Sequence, residues 1–391
     1  MDYTLAINVS SSSKKLALFL DDRLLLSARL DSKGDDYILC TIFKEVMQDC
    51  QMINRHLYHD SLVEFLKRAV ELQVITHPSV VAKVVMRMVV PGTFFQSHRE
   101  IDLDFTEKLK TLEPLLSSHI PGLLKEISAV RRHLPKAKII AASDSEFHRT
   151  IPDFVRRYSL PEADVKKCDL VRFGFHGLSV WSVVERVHSV IGIDPKRVLV
   201  CHLGSGVSVT AIKDGQSVDT SFGFYPGSGL LMGSRAGDVD AGALLTLMQY
   251  KNLKPLDAQN YLQTQGGLEG LAGESDLRIL LERRSRGDLL ATSALESFVY
   301  QIRQKIGAAW LVLGGVDAVV FTAQAGERSS VLRSLILADL ENLGIELDEE
   351  KNDRTISREG VISSITSSVK VAVIKSETMK AMLRIARTFK D

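Results

Sequence analysis

The sequence predicts an α/β protein in two related halves, and three observations carry that expectation. Short apolar runs that read as strands alternate with helical stretches along the whole chain. Two strand–turn–strand units with small polar turns, one near Leu5 to Leu20 and one near Val198 to Ile212, lie far apart in the sequence, as two copies of one unit would. At 391 residues the chain is also long for a single core, so two domains with a cleft between them are the default.

Composition narrows the function classes. Formal charge is +1, from 49 basic and 48 acidic residues, and no block of like charge stands out, which gives no footing for nucleic acid or an anionic membrane surface. The opening MDYTLAINVS lacks the basic and apolar regions of a leader, and no apolar stretch is long enough to span a bilayer, so a cytoplasmic protein is expected. Cys40, Cys50, Cys168 and Cys201 form no CxxC pair and have no histidine at metal-ligand spacing; buried, reduced thiols are expected.

In chain order, Leu5–Asn8 reads as a strand entering the small-residue turn Val9 to Lys15, and Leu16–Leu20 and Leu24–Ala28 read as the next two strands. Serine runs are common in linkers, but this one is flanked on both sides by apolar strands, which favours a phosphate-binding turn. Ser61 to Glu64 has the form of a capping box opening a helix. Val80 to Val90 reads as a strand carrying Lys83 and Arg87; a guanidinium in an apolar strand needs an ion-pair partner or an anionic ligand. Ile101 to Ile127 is helical, broken near Pro114 and Ser117 to Pro121.

Ala137–Ala142 is a buried strand, and Asp144 follows its carboxyl end, where open α/β sheets present reactive groups, although a helix cap would look the same. Phe173-Gly174-Phe175-His176-Gly177 places His176 at the start of a helix to about Ile191, a setting that suits anions. Val198–Cys201 then enters His202-Leu203-Gly204-Ser205-Gly206, a glycine turn before the strand Val207–Ile212. Gly204 and Gly206 would allow positive φ and close backbone approach to phosphate, with Ser205, Ser208 and His202 adding contacts; an ordinary hairpin is the competing reading. Asp219, Thr220, Ser221 and Arg235 are expected on one polar loop.

Ala241–Tyr250 and Leu256–Leu262 read as helices, and Asp276-Leu277-Arg278 opens another. Leu295, Phe298, Ile302, Ile306 and Leu313 recur at helical spacing, a long buried helix ended by Gly314-Gly315. Val316–Phe321 is a strand feeding a small-residue turn, Thr322 to Glu327; Val371–Ile374 is a last strand and Ser376–Thr388 a last helix.

Taken together these motifs resemble the acetate kinase family, the acyl-phosphate-forming branch of the actin, hexokinase and heat-shock ATPase superfamily. Phe-Gly-Phe-His-Gly, His-Leu-Gly-x-Gly and Asp-Thr-Ser-x-Gly-Phe (Asp219 to Phe224) occur in the family's order, with further matches from Asn8 to Glu327. The resemblance implies two similar actin-like, ribonuclease H-like domains flanking a central active-site cleft. One would comprise residues 1–146 plus 376–391, the other 147–375. It also implies reversible Mg²⁺-dependent phosphoryl transfer between ATP and acetate, giving acetyl phosphate and ADP, in a homodimer.

Residue by residue, Arg87 matches the carboxylate-binding arginine, Arg235 a second catalytic arginine and His176 the transition-state histidine. Asp144 matches an essential aspartate that orients the attacking carboxylate or helps hold Mg²⁺. Ser11, Ser13 and Lys15 match the first phosphate loop, with Asn8 near the metal; His202, Leu203, Gly204, Ser205 and Gly206 match the second. Val89, Ser118, Phe175 and Pro226 would line the acyl pocket with His119 beside it. Asp276, Leu277 and Arg278, together with Gln324, Ala325, Gly326, Glu327 and Arg328, match the adenosine site.

Several positions depart from the family pattern. Ser10 stands for glycine, Val90-Pro91-Gly92 for His-Gly-Gly, Ser205 for asparagine and Ser118 for leucine, and a smaller, more polar Ser118 could admit a larger acid such as propionate. Gln324-Ala325-Gly326-Glu327-Arg328 replaces Gly-Ile-Gly-Glu-Asn, so a side chain enters space meant for adenosine; either the base binds differently or the donor is pyrophosphate. Thr378-Met379 stands where a Mg²⁺-linked glutamate is usual, with Glu377 one residue earlier as a substitute ligand. The competing class is a non-catalytic metabolite sensor, against which stands the joint presence of Arg87, Asp144, His176 and Arg235.

Overall fold

The computed structural model describes residues 2–9, 13–33, 36–43, 46–54, 57–58, 60–114, 116 and 120–389. Ser10, Ser11, Ser12, Ser118 and His119, on which part of the sequence reading rests, lie outside the described residues. The chain divides into two compact units. The first comprises Met1–Met88, Ser97–Ser143 and Thr378–Asp391; the second comprises Val89–Gln96 and Asp144–Glu377.

In the first unit the strands are β1 (Tyr3–Val9), β2 (Ser13–Leu20), β3 (Arg23–Lys33), β4 (Asp36–Phe43), β5 (Val46–Ile53), β6 (Val81–Met88), β7 (Arg99–Glu100) and β8 (Lys138–Ser143). They form one sheet in the order β5-β4-β3-β2-β1-β6-β8-β7. In the second unit β9 (Arg197–Leu203), β10 (Val207–Lys213), β11 (Gln216–Thr220), β12 (Ala318–Thr322), β13 (Gly360–Val361) and β14 (Lys370–Val373) form a sheet in the order β11-β10-β9-β12-β14-β13.

The repeat expected from the two turns is present in the topology. In each sheet a lead strand (β1, β9) is antiparallel to the hairpin strand after it (β2, β10) and parallel to a later strand (β6, β12), which is parallel in turn to another (β8, β14). This is the two-domain actin-like ATPase fold.

Continuous apolar runs mark strands covered on both faces. In the second unit Leu199, Cys201, Val319, Phe321, Val371 and Val373 enter one core, with the helix Leu289–Leu313 packed on β9 and β10. The alternate residues Val198, Val200, Ala318, Val320 and Ala372 enter the other, beneath the helix Gly177–Ile191. In the first unit the helix Thr378–Thr388 packs on β1, β6 and β8 through Ala381, Met382 and Ile385.

Five local expectations are corrected. Asp60, not Ser61, is the N-cap of the helix Ser61–Glu71, and Ser61 is its first helical residue. Cys40 and Cys50 form a disulfide because β4 and β5 pair in a register that sets them opposite each other, and Cys168 is exposed; Cys201 alone is a buried thiol, its pKa pushed up to about 12 by burial. Asp219 and Thr220 lie on β11, paired to β10, rather than on a loop with Arg235. Thr322 to Glu327 is no open turn: Ala323–Arg328 is a short helix with Thr322 at its N-cap position and no side-chain cap hydrogen bond. Neither Gly204 nor Gly206 takes a positive φ.

Candidate active site

Three of the four proposed catalytic residues, Asp144, His176 and Arg235, lie in the second unit, and Arg87 in the first. His176 is the N-cap of the helix Gly177–Ile191 and sits at φ 63, a conformation that costs free energy for a residue other than glycine unless its surroundings hold it. Asp144 does so. Its Oδ2 accepts from the His176 backbone N–H at 2.7 Å, and its carbonyl accepts from Gly177 N at 2.8 Å. A Cβ on Gly177 would stand 2.5 Å from that carbonyl, so only glycine fits after His176. Asp144 itself is fully buried.

The His176 ring is held from several sides. It stacks on His202 with centroids 3.8 Å apart, meets the edge of Phe222 at 4.8 Å, and its Nδ1 lies 2.9 Å from Ser208 Oγ. His202, at the end of β9, has its Nδ1 2.9 Å from Ser179 Oγ. The turn that follows is closed by Gly204 N donating to Gly206 O at 3.0 Å. A Cβ on Gly206 would stand 2.7 Å from His176 Nε2 and 3.7 Å from Arg235 Nη1, so an imidazole nitrogen and a guanidinium converge where this turn has no side chain. A Cβ on Gly204 would likewise meet His202 Nε2 at 3.4 Å. Arg235 Nη1 also donates to Pro226 O at 3.1 Å.

Beneath the motif, His148 is fully buried: its Nε2–H donates to Phe175 O at 2.9 Å and its Nδ1 lies 2.9 Å from Ser217 Oγ. Burial pulls its pKa down to about 4, so it braces the Phe-Gly-Phe-His-Gly segment as a neutral ring. Phe175 packs edge-on against Phe222 in the apolar cluster against which Val89 also packs. Gly267, at φ 62, lets the Arg235 loop approach, since a Cβ there would stand 2.2 Å from Met232 O. His148 and Gly267 were not singled out as site residues; only contacts distant in sequence reveal their roles.

In the first unit Arg87 Nη1 donates to Asn8 Oδ1 at 3.3 Å across the parallel pair β6 and β1. Asn8 stands opposite Lys15 on β2, which is exposed, while the neighbouring Lys14 is buried and ion-paired with Glu126 at 2.7 Å. Ser13 opens β2.

The residues matched to the adenosine site are built differently. Asp276 caps the helix Leu277–Ser285 and binds Arg278, which is exposed. Gln324 and Arg328 are exposed on the helix Ala323–Arg328, with Ala325 half-buried and Gly326 buried between them. Arg333, fully buried, anchors that helix: it donates to Gly326 O at 2.7 Å, to Asn352 Oδ1 at 2.8 Å and to Asn352 O at 2.8 Å, and desolvation pulls its pKa down to about 10. Glu327 Oε1 accepts from Ser376 N, and Glu377 lies 3.7 Å from Arg186, which also pairs with Glu359. Among the described residues no three His, Cys, Asp or Glu side chains form a metal cluster, and no helix is long and apolar enough to cross a membrane.

Fold and family relationships together make this chain a phosphotransferase that acts on a carboxyl group, built on the actin-like ATPase fold. The chain belongs to the acetate kinase family: the family model described as "Acetokinase family" matches residues 3–384. It is 31% identical over 385 residues to an acetate kinase of Sulfurovum sp., covering 97% of each chain, and 35% identical over 390 residues to one of Clostridium botulinum, covering 97% of this chain and 94% of the relative. Among solved structures, Porphyromonas gingivalis acetate kinase superposes with a TM-score of 0.85 at 29% identity, covering 99% of each chain. A propionate kinase from Francisella tularensis superposes with a TM-score of 0.89 at 27% identity over the full length of both.

Proposed function

We propose that this enzyme transfers a phosphoryl group reversibly between ATP and acetate, forming acetyl phosphate and ADP with Mg²⁺. The convergence of His176 Nε2 and Arg235 Nη1 beside Gly206 carries the proposal. A loose phosphoryl-transfer transition state spreads negative charge over three equatorial oxygens, and fixed donors that need no reorganisation stabilise it. His176 and Arg235 supply such donors, and Arg87 binds the carboxylate as a fork of N–H groups. A carboxylate is already ionised at neutral pH, so no strong base is required. Asp144, already bound to the His176 backbone, acts by holding that segment in place. Ser13, Lys15 and the turn His202 to Gly206 receive phosphate oxygens.

Mg²⁺ commonly keeps several waters and takes phosphate oxygens, so one protein oxygen can suffice; the Asn8 amide oxygen now accepts from Arg87 Nη1 and would have to be released to meet the ion. Asn8 would hold the ion, which when bound neutralises phosphate charge. Glu377 would have to leave Arg186 before it could meet a cation. We take the enzyme to be a cytoplasmic homodimer. The helix Ala241–Lys251 has no buried residue and exposes Leu245 and Tyr250, which supports a further interface.

Acyl phosphate formation from acetate, trapped with hydroxylamine, tests the reading with ATP and pyrophosphate offered separately. Product with ATP is expected. Product only with pyrophosphate would mean that Gln324 and Arg328 exclude the base, product only from propionate would reassign the acid, and no product with any of them would leave the sensor.

A further inference from the structure

Two buried serines flank the imidazole pair, and Ser208, expected from the sequence to contact phosphate, instead meets His176. Ser208, on β10, and Ser179, in the first turn of the helix Gly177–Ile191, each place a hydroxyl 2.9 Å from one histidine, Ser208 at His176 Nδ1 and Ser179 at His202 Nδ1. Ser208 is fully buried and Ser179 nearly so. The arrangement is nearly symmetrical: two stacked rings, each gripped at Nδ1, each with Nε2 toward a glycine of the same turn, Gly206 for His176 and Gly204 for His202.

A neutral imidazole carries its proton on one nitrogen, and the bond made by the other decides which. Among the described residues His176 Nδ1 is the sole hydrogen-bond partner of the Ser208 hydroxyl, and His202 Nδ1 that of the Ser179 hydroxyl. If either Nδ1 carried the proton and donated, the serine O–H would be left buried without an acceptor, a costly state. The hydroxyl therefore donates to Nδ1, and the ring proton resides on Nε2.

We propose that Ser208 and Ser179 are positioning residues that lock His176 and His202 in the Nε2–H tautomer, making the stacked pair two hydrogen-bond donors aimed along the phosphate turn. His176 Nε2–H then serves the transferred phosphoryl group, and His202 Nε2–H the adjoining phosphate of the donor. The catalytic part of this rests on the phosphoryl-transfer reading; the tautomers do not. In the opposite tautomer each Nε2 would present a lone pair to phosphate oxygens and repel them.

The test has two arms. Long-range ¹H–¹⁵N correlation spectra of the native chain labelled at histidine, recorded at pH 8 and assigned with His176→Asn and His202→Asn, should show protonated Nε2 and unprotonated Nδ1 at both positions. This arm stands even if no substrate is turned over. In the second, Ser208→Ala should lower kcat by about ten- to a hundredfold, with KM for both substrates within about twofold and some His176 signal moving to the other tautomer. Ser208→Thr, which keeps the hydroxyl, should restore most of the rate. An Nδ1–H tautomer at either histidine in the native spectrum, or native kcat in Ser208→Ala, would overturn the proposal.

Discussion

The segment around Gly206 and the segment Gln324 to Arg328 answer to opposite constraints. Around Gly206 the imidazole of His176 and the carboxylate of Asp144 are buried and bonded, and the space for a side chain is already filled by His176 Nε2. Around Gln324 the backbone is fixed from below by Arg333, while the side chains at 324 and 328 face solvent. Substitution therefore disturbs the site in the first and is nearly costless to folding in the second. Departures from the family pattern nevertheless occur on both sides, Ser205 within the turn itself and Gln324, Ala325 and Arg328 where the base is expected.

Breaking the rigid side should have the largest effect. Asp144→Asn keeps the shape but weakens the acceptor for the His176 backbone, and kcat should fall about 10²- to 10³-fold with an unchanged circular dichroism spectrum. Native turnover in that variant would remove Asp144 from the mechanism.

Arg333→Met probes the anchored side. It leaves Gly326 O and two Asn352 oxygens without their donor, and a loss of about 3 kcal/mol is expected from urea unfolding midpoints. A change of a few tenths would mean that the short helix holds its place without the buried cation.

The buried His148 gives the comparison a pH axis. Folded, it takes a proton only near pH 4, whereas an unfolded histidine takes one near 6.5. The unfolded chain thus binds more protons between those values, so the contribution is fully present above about pH 6.5 and is lost as the pH falls toward 4, up to about 3 kcal/mol. His148→Gln should be less stable at pH 7 and should lose this part of the acid sensitivity; an equally steep acid limb would assign it to other groups. Gly206→Ala should cost less, about tenfold in kcat, because the added methyl displaces His176 Nε2 by a fraction of an ångström.

What the sequence made legible follows the same division. Strands covered on both faces are continuous apolar runs, so β9, β12 and β14 could be read directly, whereas the approach of the Asp144 carbonyl to Gly177 appears only in the fold. The Cys40–Cys50 pairing could not be read, because β4 and β5 are an edge hairpin of mixed residues whose register is fixed only by pairing. Arg333 was equally hidden: one arginine on an amphipathic helix looks solvent-facing until Asn352 and Gly326 are brought against it. Ser208 and Ser179 were ordinary small residues until β10 and the helix Gly177–Ile191 set them beside the two rings.

The measurement that bears most directly on the reacting centre is acyl phosphate formation by His176→Asn and by Arg235→Ala at saturating ATP and acetate. Asparagine tolerates the left-handed backbone at 176, so the first variant removes the ring and keeps the fold. Both rates should fall at least about 10²-fold with KM little changed, since each group is assigned to oxygens whose charge develops in the transition state. Native-like turnover in either variant would contradict the assignment of phosphoryl transfer to the space beside Gly206.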